Sequence, residues 1–290
     1  MTVAFRARIE ELAAQAGGVV GFAATKLSTG KHIGYQEDDL FSAASVIKVP
    51  ILVALYEEAL AGRADLGERV TYRAVSKVAG SGVLQDLDDG LACTLRDLAV
   101  LMITVSDNTA ADLLLGRLGK DRVEAAMARY GLASIRVPFT VRELLAELVD
   151  LPPSAEAYEE TRRRLRLSLG SGGRAVVPEA SDRSSPKDMC RLFELLESRA
   201  ILDDGSCAAI LDINQRQKFG ELIPARLPKG TLTAHKTGSL RGVRNDAGIV
   251  YAPNGPYAVA IFSRGMPDEV MGVRALAELS LAIYEELSAA

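Results

Sequence analysis

A serine followed three residues later by a lysine puts a hydroxyl and an amine on one side of a helical turn. A lysine partly withdrawn from water is a weaker acid-holder and can take the hydroxyl proton, making the serine a nucleophile. The chain carries this spacing three times, at Ser28–Lys31, Ser45–Lys48 and Ser184–Lys187. The first pair flanks a turn containing Gly30 and is not held on a helix. Ser184 precedes the Ser185-Pro186 head of a helix and reads as a turn or capping residue. Only Ser45 opens a strongly apolar helical run, with Lys48 set between Ile47 and Val49. There the serine also meets the positive end of the helix dipole, where backbone N–H groups can face an oxyanion.

Two more motifs follow in order. Ser106-Asp107-Asn108 lies 61 residues after Ser45, and Lys236-Thr237-Gly238-Ser239 begins 130 residues after Ser106, on a predicted strand. Each triplet alone is a weak signal; the ordered set is a known signature of acyl-transfer enzymes. The segments FSAASVIKVPILVAL (41–55), TLRDLAVLMITVSDNTAADLLLGRLG (94–119) and TAHKTGSLRGVRNDAGIVYA (233–252) resemble the class A β-lactamase and penicillin-binding protein superfamily of active-site serine enzymes. The resemblance spans most of 1–135 and 183–290.

That resemblance implies a role for each matching residue. Ser45 is the expected nucleophile of an acyl-enzyme, with Lys48 as its base or proton shuttle. Ser106 relays a proton toward the leaving nitrogen. Asn108 bonds Lys48 and the substrate's side-chain amide. Lys236, Thr237, Gly238 and Ser239 form the substrate-carboxylate strand, Lys236 also supporting Ser106 electrostatically. The backbone N–H groups of Ser45 and Ser239 form the oxyanion hole, a device worth about 3 kcal/mol per donor. Asp107 reads as a helix cap or backbone organiser. His235 alternates to the strand face opposite Lys236 and reads as packing.

The family also uses a glutamate in an E-x-x-L-N pattern to activate the water that clears the acyl-enzyme. The corresponding stretch here, SIRVPFTVRELLAELVD (134–150), holds Glu143 and Glu147 but no Asn in the pattern. Both glutamates sit in an amphipathic helical pattern with Leu144, Leu145 and Leu148, which also suits surface charge. Arg241 and Arg244 both lie near the place of a family arginine. The expected function is therefore hydrolysis of a β-lactam, or a related small amide or ester, through an acyl-enzyme on Ser45. The alternative is an esterase, D-amino-acid peptidase or penicillin-binding-like protein of the same fold with slow β-lactam turnover. A non-catalytic ligand binder is disfavoured, because such a protein needs neither nucleophile nor base.

Composition agrees with lysine-based proton transfer. The 290 residues include two histidines, His32 and His235, which argues against a multi-histidine metal site, and no metal or other cofactor is expected. Three cysteines without C-x-x-C spacing argue against a disulfide framework. The net charge of −4 argues against nucleic acid as a partner, leaving a small-molecule substrate. No apolar run approaches the about 20 residues of a membrane span. The first 16 residues read as an amphipathic helix presenting Phe5, Ile9 and Leu12 rather than as a leader. A cytoplasmic protein is expected from the chain as given, or a periplasmic or secreted one if a leader has been removed. Its oligomeric state is left open.

The elements that must position these residues follow from periodicity. A helix and a hairpin (19–36) precede the first motif. Helical patterns dominate from about 40 to 220, with caps at Ser45, Thr94, Asp107 and Ser185. Three strands (231–239, 246–252 and 257–264) and a final helix close the chain. The expected fold is α/β, of the β-lactamase/transpeptidase type: a five-stranded antiparallel sheet flanked by terminal helices, with an inserted all-helical subdomain. Expected boundaries are 1–40 with 220–290 for the sheet part and 41–219 for the helical part. An atypical insert is expected at about 134–182.

Overall fold

The computed structural model describes residues 2–288 and divides into two compact units. One runs through Val46 and resumes at Ser184; the other is Ile47–Arg183.

The sheet unit begins with α1 (Val3–Ala16), which Thr2 caps by accepting the Phe5 N–H at 3.2 Å. Gly17 ends it in the left-handed region, at φ 76°, where glycine carries no Cβ penalty. Strands β1 (Val19–Lys26) and β2 (His32–Tyr35) form the expected hairpin. β3 (Leu232–Leu240), β4 (Val243–Ala252) and β5 (Gly255–Arg264) complete an antiparallel sheet of order β2-β1-β5-β4-β3. Period-two alternation sends Val20, Phe22 and Ala24 of β1 and Val259 and Ile261 of β5 into one core. Phe5, Ile9 and Leu12 of α1 meet them there, as the sequence pattern predicts, with Leu276, Leu279 and Ile283 of the terminal helix α10 (Glu269–Ser288). Burying each of the larger of these side chains stabilises the fold by about 1.5–3 kcal/mol.

The helical unit contains α2 (Lys48–Leu60), α3 (Leu95–Thr104), α4 (Asn108–Leu118), α5 (Lys120–Arg129), α6 (Val141–Leu148) and α7 (Tyr158–Arg166). Helix α2 buries every residue from Lys48 to Tyr56, the mark of a central helix apolar all round. Thr94 and Asp97 form a capping box on α3, and Thr140 and Glu143 form another on α6. No helix among the described residues is long and apolar enough to cross a membrane.

Three expectations are corrected. The helical unit closes at Arg183 rather than 219, because α8 (Pro186–Glu197) and α9 (Asp204–Gln215) pack on the sheet, α8 on β1, β5 and β4 and α9 on β3. Their apolar periodicity states that they are half-buried, not what buries them. Residues 41–46 belong to the sheet unit as well. Phe41 meets the Phe262 ring edge-on at 6.0 Å, and Asn245 donates to the Ser42 and Ala43 carbonyls at 2.8 and 3.2 Å. Finally, Ser45 does not cap α2. It lies in a tight turn, Ala44–Ile47, that runs directly into Lys48 at the head of the helix. The other three capping expectations hold, with Thr94, Asp107 and Ser185 each accepting a backbone N–H three residues on.

Candidate active site

In the sheet unit, Ser45 is half-buried and follows Ala44, whose φ of 49° lies in the left-handed region. A non-glycine residue held there costs about 1–3 kcal/mol, which the surrounding bonds must outweigh. The Val46 N–H donates to the Ala43 carbonyl at 3.2 Å and the Asn245 amide holds the carbonyls just before the turn. Gly238 of β3 comes close to this turn. A Cβ there would stand 2.8 Å from the Ala43 oxygen and 3.0 Å from the backbone nitrogens of Ser45 and Val46. Only glycine allows the strand so near the Ser45 backbone.

Strand β3 pairs with β4 in the register Thr237↔Asp246, Gly238↔Asn245 and Ser239↔Arg244. Lys236 is fully buried, and its ammonium donates to the Thr237 carbonyl at 2.7 Å. Burial pushes it down to about 7, against the opposing pull of Asp246 and Glu221. Thr237 is buried and Ser239 exposed. His235 is buried with Nδ1 at 2.9 and 3.0 Å from the two Asp246 oxygens, and Asp246 also accepts the Ile223 N–H at 3.0 Å. Arg244 is turned to its own hairpin, donating to the Leu240 and Val243 carbonyls at 2.8 Å each and pairing with Glu269. Arg241 is exposed on the adjoining turn.

In the helical unit, Lys48 is fully buried at the start of α2. Its Nζ donates to the Ser106 carbonyl at 2.7 Å, the Ser106 Oγ at 3.2 Å and the Asn108 Oδ1 at 2.7 Å. The sequence-predicted Lys48, Ser106 and Asn108 are thus brought together from sites about 60 residues apart. Ser106 takes a left-handed φ of 54°, and Asp107 fixes that kink from behind. Asp107 Oδ1 caps α4 through the Ala110 N–H at 2.9 Å, and Oδ2 accepts the N–H groups of Val83 and Leu84 at 2.6 and 2.8 Å. Its role is organisation, as its position before α4 suggests.

The same unit contains Glu143 and Glu147, and both carboxylates are engaged elsewhere. Glu143 accepts the Thr140 N–H at 2.7 Å and the Lys120 ammonium at 2.9 Å. Burial would raise its pKa, but these partners prevail and hold it below the usual value. Glu147 pairs with Arg174 at 2.6 Å and is held low by it.

Sequence reasoning missed Ser81, whose hydroxyl donates to the Ser106 carbonyl at 2.7 Å and the Asn108 Oδ1 at 3.2 Å. Its available signal was the Gly80-Ser81-Gly82 triplet, whose glycines adopt φ of 96° and 107°. Sequence reasoning also missed how carboxylates hold the 137–142 segment. The Val137, Phe139, Thr140, Val141 and Arg142 N–H groups go to Glu124, Asp182, Glu143 and, for the last two, Asp112. Pro138 has no N–H to satisfy. Burial pushes Asp182 up to about 8 and also raises Asp112.

Comparison with known proteins agrees with the family resemblance read from the sequence. The β-lactamase enzyme family profile matches residues 4–287. β-Lactamase 3 of Bacillus cereus is 27% identical over 248 residues, 84% of this chain and 69% of that protein. The β-lactamase of Sphaerobacter thermophilus superposes with a TM-score of 0.81 at 30% identity, covering 98% of this chain and 96% of that one. A leucine-to-glutamate mutant of PBP-A, solved as an acyl-enzyme complex with penicillin G, superposes with a TM-score of 0.79 at 27% identity, covering 97% and 95%.

Proposed function

The chain belongs to the β-lactamase enzyme family, a serine β-lactamase-like hydrolase, and from that premise we propose that it opens a β-lactam, or a related small amide or ester, through an acyl-enzyme on Ser45 that clears slowly. The carrying observation is the buried Lys48 ammonium held by Ser106 and Asn108. Burying a charged amine is costly unless it is paired or used, and here its partners are the motif residues themselves.

In this reading Lys48 accepts the Ser45 proton as Oγ attacks the carbonyl carbon. The C–N or C–O bond then breaks, and Ser106 passes a proton to the leaving atom. The Ser45 and Ser239 N–H groups stabilise the oxyanion, and Gly238 keeps β3 close to the Ser45 backbone. Asn108 orients Lys48 and the substrate amide. Lys236, Thr237 and Ser239 hold the substrate carboxylate.

Slow clearance is supported by the engagement of Glu143 with Thr140 and Lys120 and of Glu147 with Arg174. A carboxylate held low and ion-paired is a poor base for water. A penicillin G acyl-enzyme has been solved in the same fold, for the leucine-to-glutamate mutant of PBP-A, so acylation by this substrate is the step to look for first.

The test is incubation with penicillin G, intact-protein mass spectrometry and a turnover assay. A mass increase of one penicillin, absent in Ser45→Ala and persisting for minutes or longer, is the expected result. Glu143→Gln and Glu147→Gln are expected to leave clearance within about twofold of the parent. Rapid turnover lost in either glutamine variant would overturn slow clearance, and an adduct surviving in Ser45→Ala would overturn the nucleophile.

A further inference from the structure

The geometry points to Ser81 as a positioning residue that tunes the proton affinity of Lys48. The inference rests on the acyl-serine reading above and adds to it a residue outside the three motifs.

Ser81 and Lys48 converge on the same two acceptors, the single hydroxyl proton of Ser81 lying nearer the Ser106 carbonyl. The Ser106 carbonyl receives Lys48 Nζ at 2.7 Å and Ser81 Oγ at 2.7 Å, and Asn108 Oδ1 receives them at 2.7 and 3.2 Å. The Ser81 backbone belongs to the same arrangement, its carbonyl accepting the Asn108 N–H at 3.0 Å. The neighbouring Ala79 carbonyl accepts Asn108 Nδ2 at 2.8 Å, so this loop settles which end of the Asn108 amide faces Lys48. The loop is fixed in turn by its glycines. A Cβ on Gly80 would stand 2.8 Å from Asn108 Nδ2, and one on Gly82 would stand 2.4 Å from the Asp107 Cα.

Two consequences follow from shared acceptors. The hydroxyl holds the Ser106 carbonyl in its left-handed kink, where it meets Lys48. It also draws on the lone pairs that would otherwise stabilise the ammonium, which favours release of the lysine proton. A donor whose positive end points at a cation's own acceptors weakens the cation's hold on its proton. The buried Asp112 carboxyl on α4 also feels the Lys48 charge and is unchanged by the substitution, so removing the hydroxyl makes Lys48 a more reluctant base at low pH and leaves the binding of substrate nearly as it was.

The experiment measures the pH dependence of Ser45-dependent acylation by penicillin G, read by quenched-flow mass spectrometry. Ser81→Ala is expected to lower the acylation rate constant about threefold at pH 6. It should move the acid limb of the profile to higher pH by about half a unit and leave the apparent penicillin Kd within about twofold. Ser81→Thr, which keeps the hydroxyl, restores the limb; Ser81→Cys, a weak donor of similar shape, falls between. An unmoved limb in folded Ser81→Ala, or a Ser81→Cys profile identical to the parent, would overturn the assignment of Ser81 while leaving Ser45 as the nucleophile. An adduct that forms without Ser45 would instead overturn the acyl-serine reading beneath it.

Discussion

Lys48 in the helical unit and Lys236 in the sheet unit are both completely buried, yet their ammonium groups meet different surroundings. Lys48 donates to two oxygens of Ser106 and one of Asn108, all within 3.2 Å. Lys236 donates to the carbonyl of its own neighbour Thr237, and burial outweighs the pull of Asp246 and Glu221 enough to lower it to about 7. Fixed acceptors around a buried ammonium stabilise its charged form and set the direction of its protons. A buried cation whose charge is marginal near neutrality gains most from an anion brought to it. The roles proposed for them, a base at Lys48 and a carboxylate recogniser at Lys236, can therefore be tested apart.

Removing the base should have the largest effect. Lys48→Met keeps the length of the stem and deletes the amine. The acylation rate constant is expected to fall about 10³-fold, the usual span of general-base catalysis. Acyl-adduct accumulation with penicillin G reads it directly. A fall smaller than tenfold would show that Lys48 is an anchor for Ser106 and Asn108 rather than a proton acceptor, and the contrast with Lys236 would collapse.

The second effect separates the two lysines by pH. A lysine with a folded value near 7 is charged below it and neutral above it. Capture of a carboxylate substrate should therefore weaken as pH rises through about 7, with kcat/KM falling toward tenfold per pH unit. The ester of the same substrate, which brings no anion, should lack this fall. Stability runs the other way: between about 7 and the ordinary lysine value of 10.5 the unfolded chain binds the extra proton, so Lys236 makes the fold more stable as pH rises across that window. Parallel KM profiles for acid and ester would remove Lys236 from carboxylate recognition.

The three motifs were legible because residue type and spacing carry them. Ser45, Lys48, Ser106, Asn108 and Lys236 each have few chemical substitutes, and the elements holding them show their caps and periodicities locally. Thr94, Asp107 and Ser185 cap their helices through neighbours three residues away, a distance a reader can count. Ser81 was not legible, since a serine between two glycines reads as a turn until Ser106 and Asn108 arrive from 25 or more residues onward. The affiliation of α8 and α9 was hidden for the reason that an apolar stripe does not name its partner. The 137–142 segment was least legible of all. Its donors are met by carboxylates from residues 112, 124, 143 and 182, and nothing in an isolated Asp or Glu marks it as an anchor for backbone N–H groups.

That segment supplies the smallest effect and a control on the comparison of lysines. Asp182, buried and bonded to the Phe139 N–H at 3.0 Å, has its carboxyl pushed up to about 8, so it is raised as Lys236 is lowered. The folded chain keeps its proton where the unfolded chain has released one. The stability this group contributes is full below its ordinary value of 3.8 and is lost as pH rises through about 8. Asp182→Asn keeps an acceptor for Phe139 and needs no proton. The variant should match the parent near pH 4 and gain on it up to about pH 8, where a rise in Tm of about 5 °C is expected in thermal melts. Its acylation rate constant should not change, because neither lysine has been touched. A gain in Tm that is the same at every pH would show that Asp182 is ionised in the fold and that the 137–142 segment is held by charge after all.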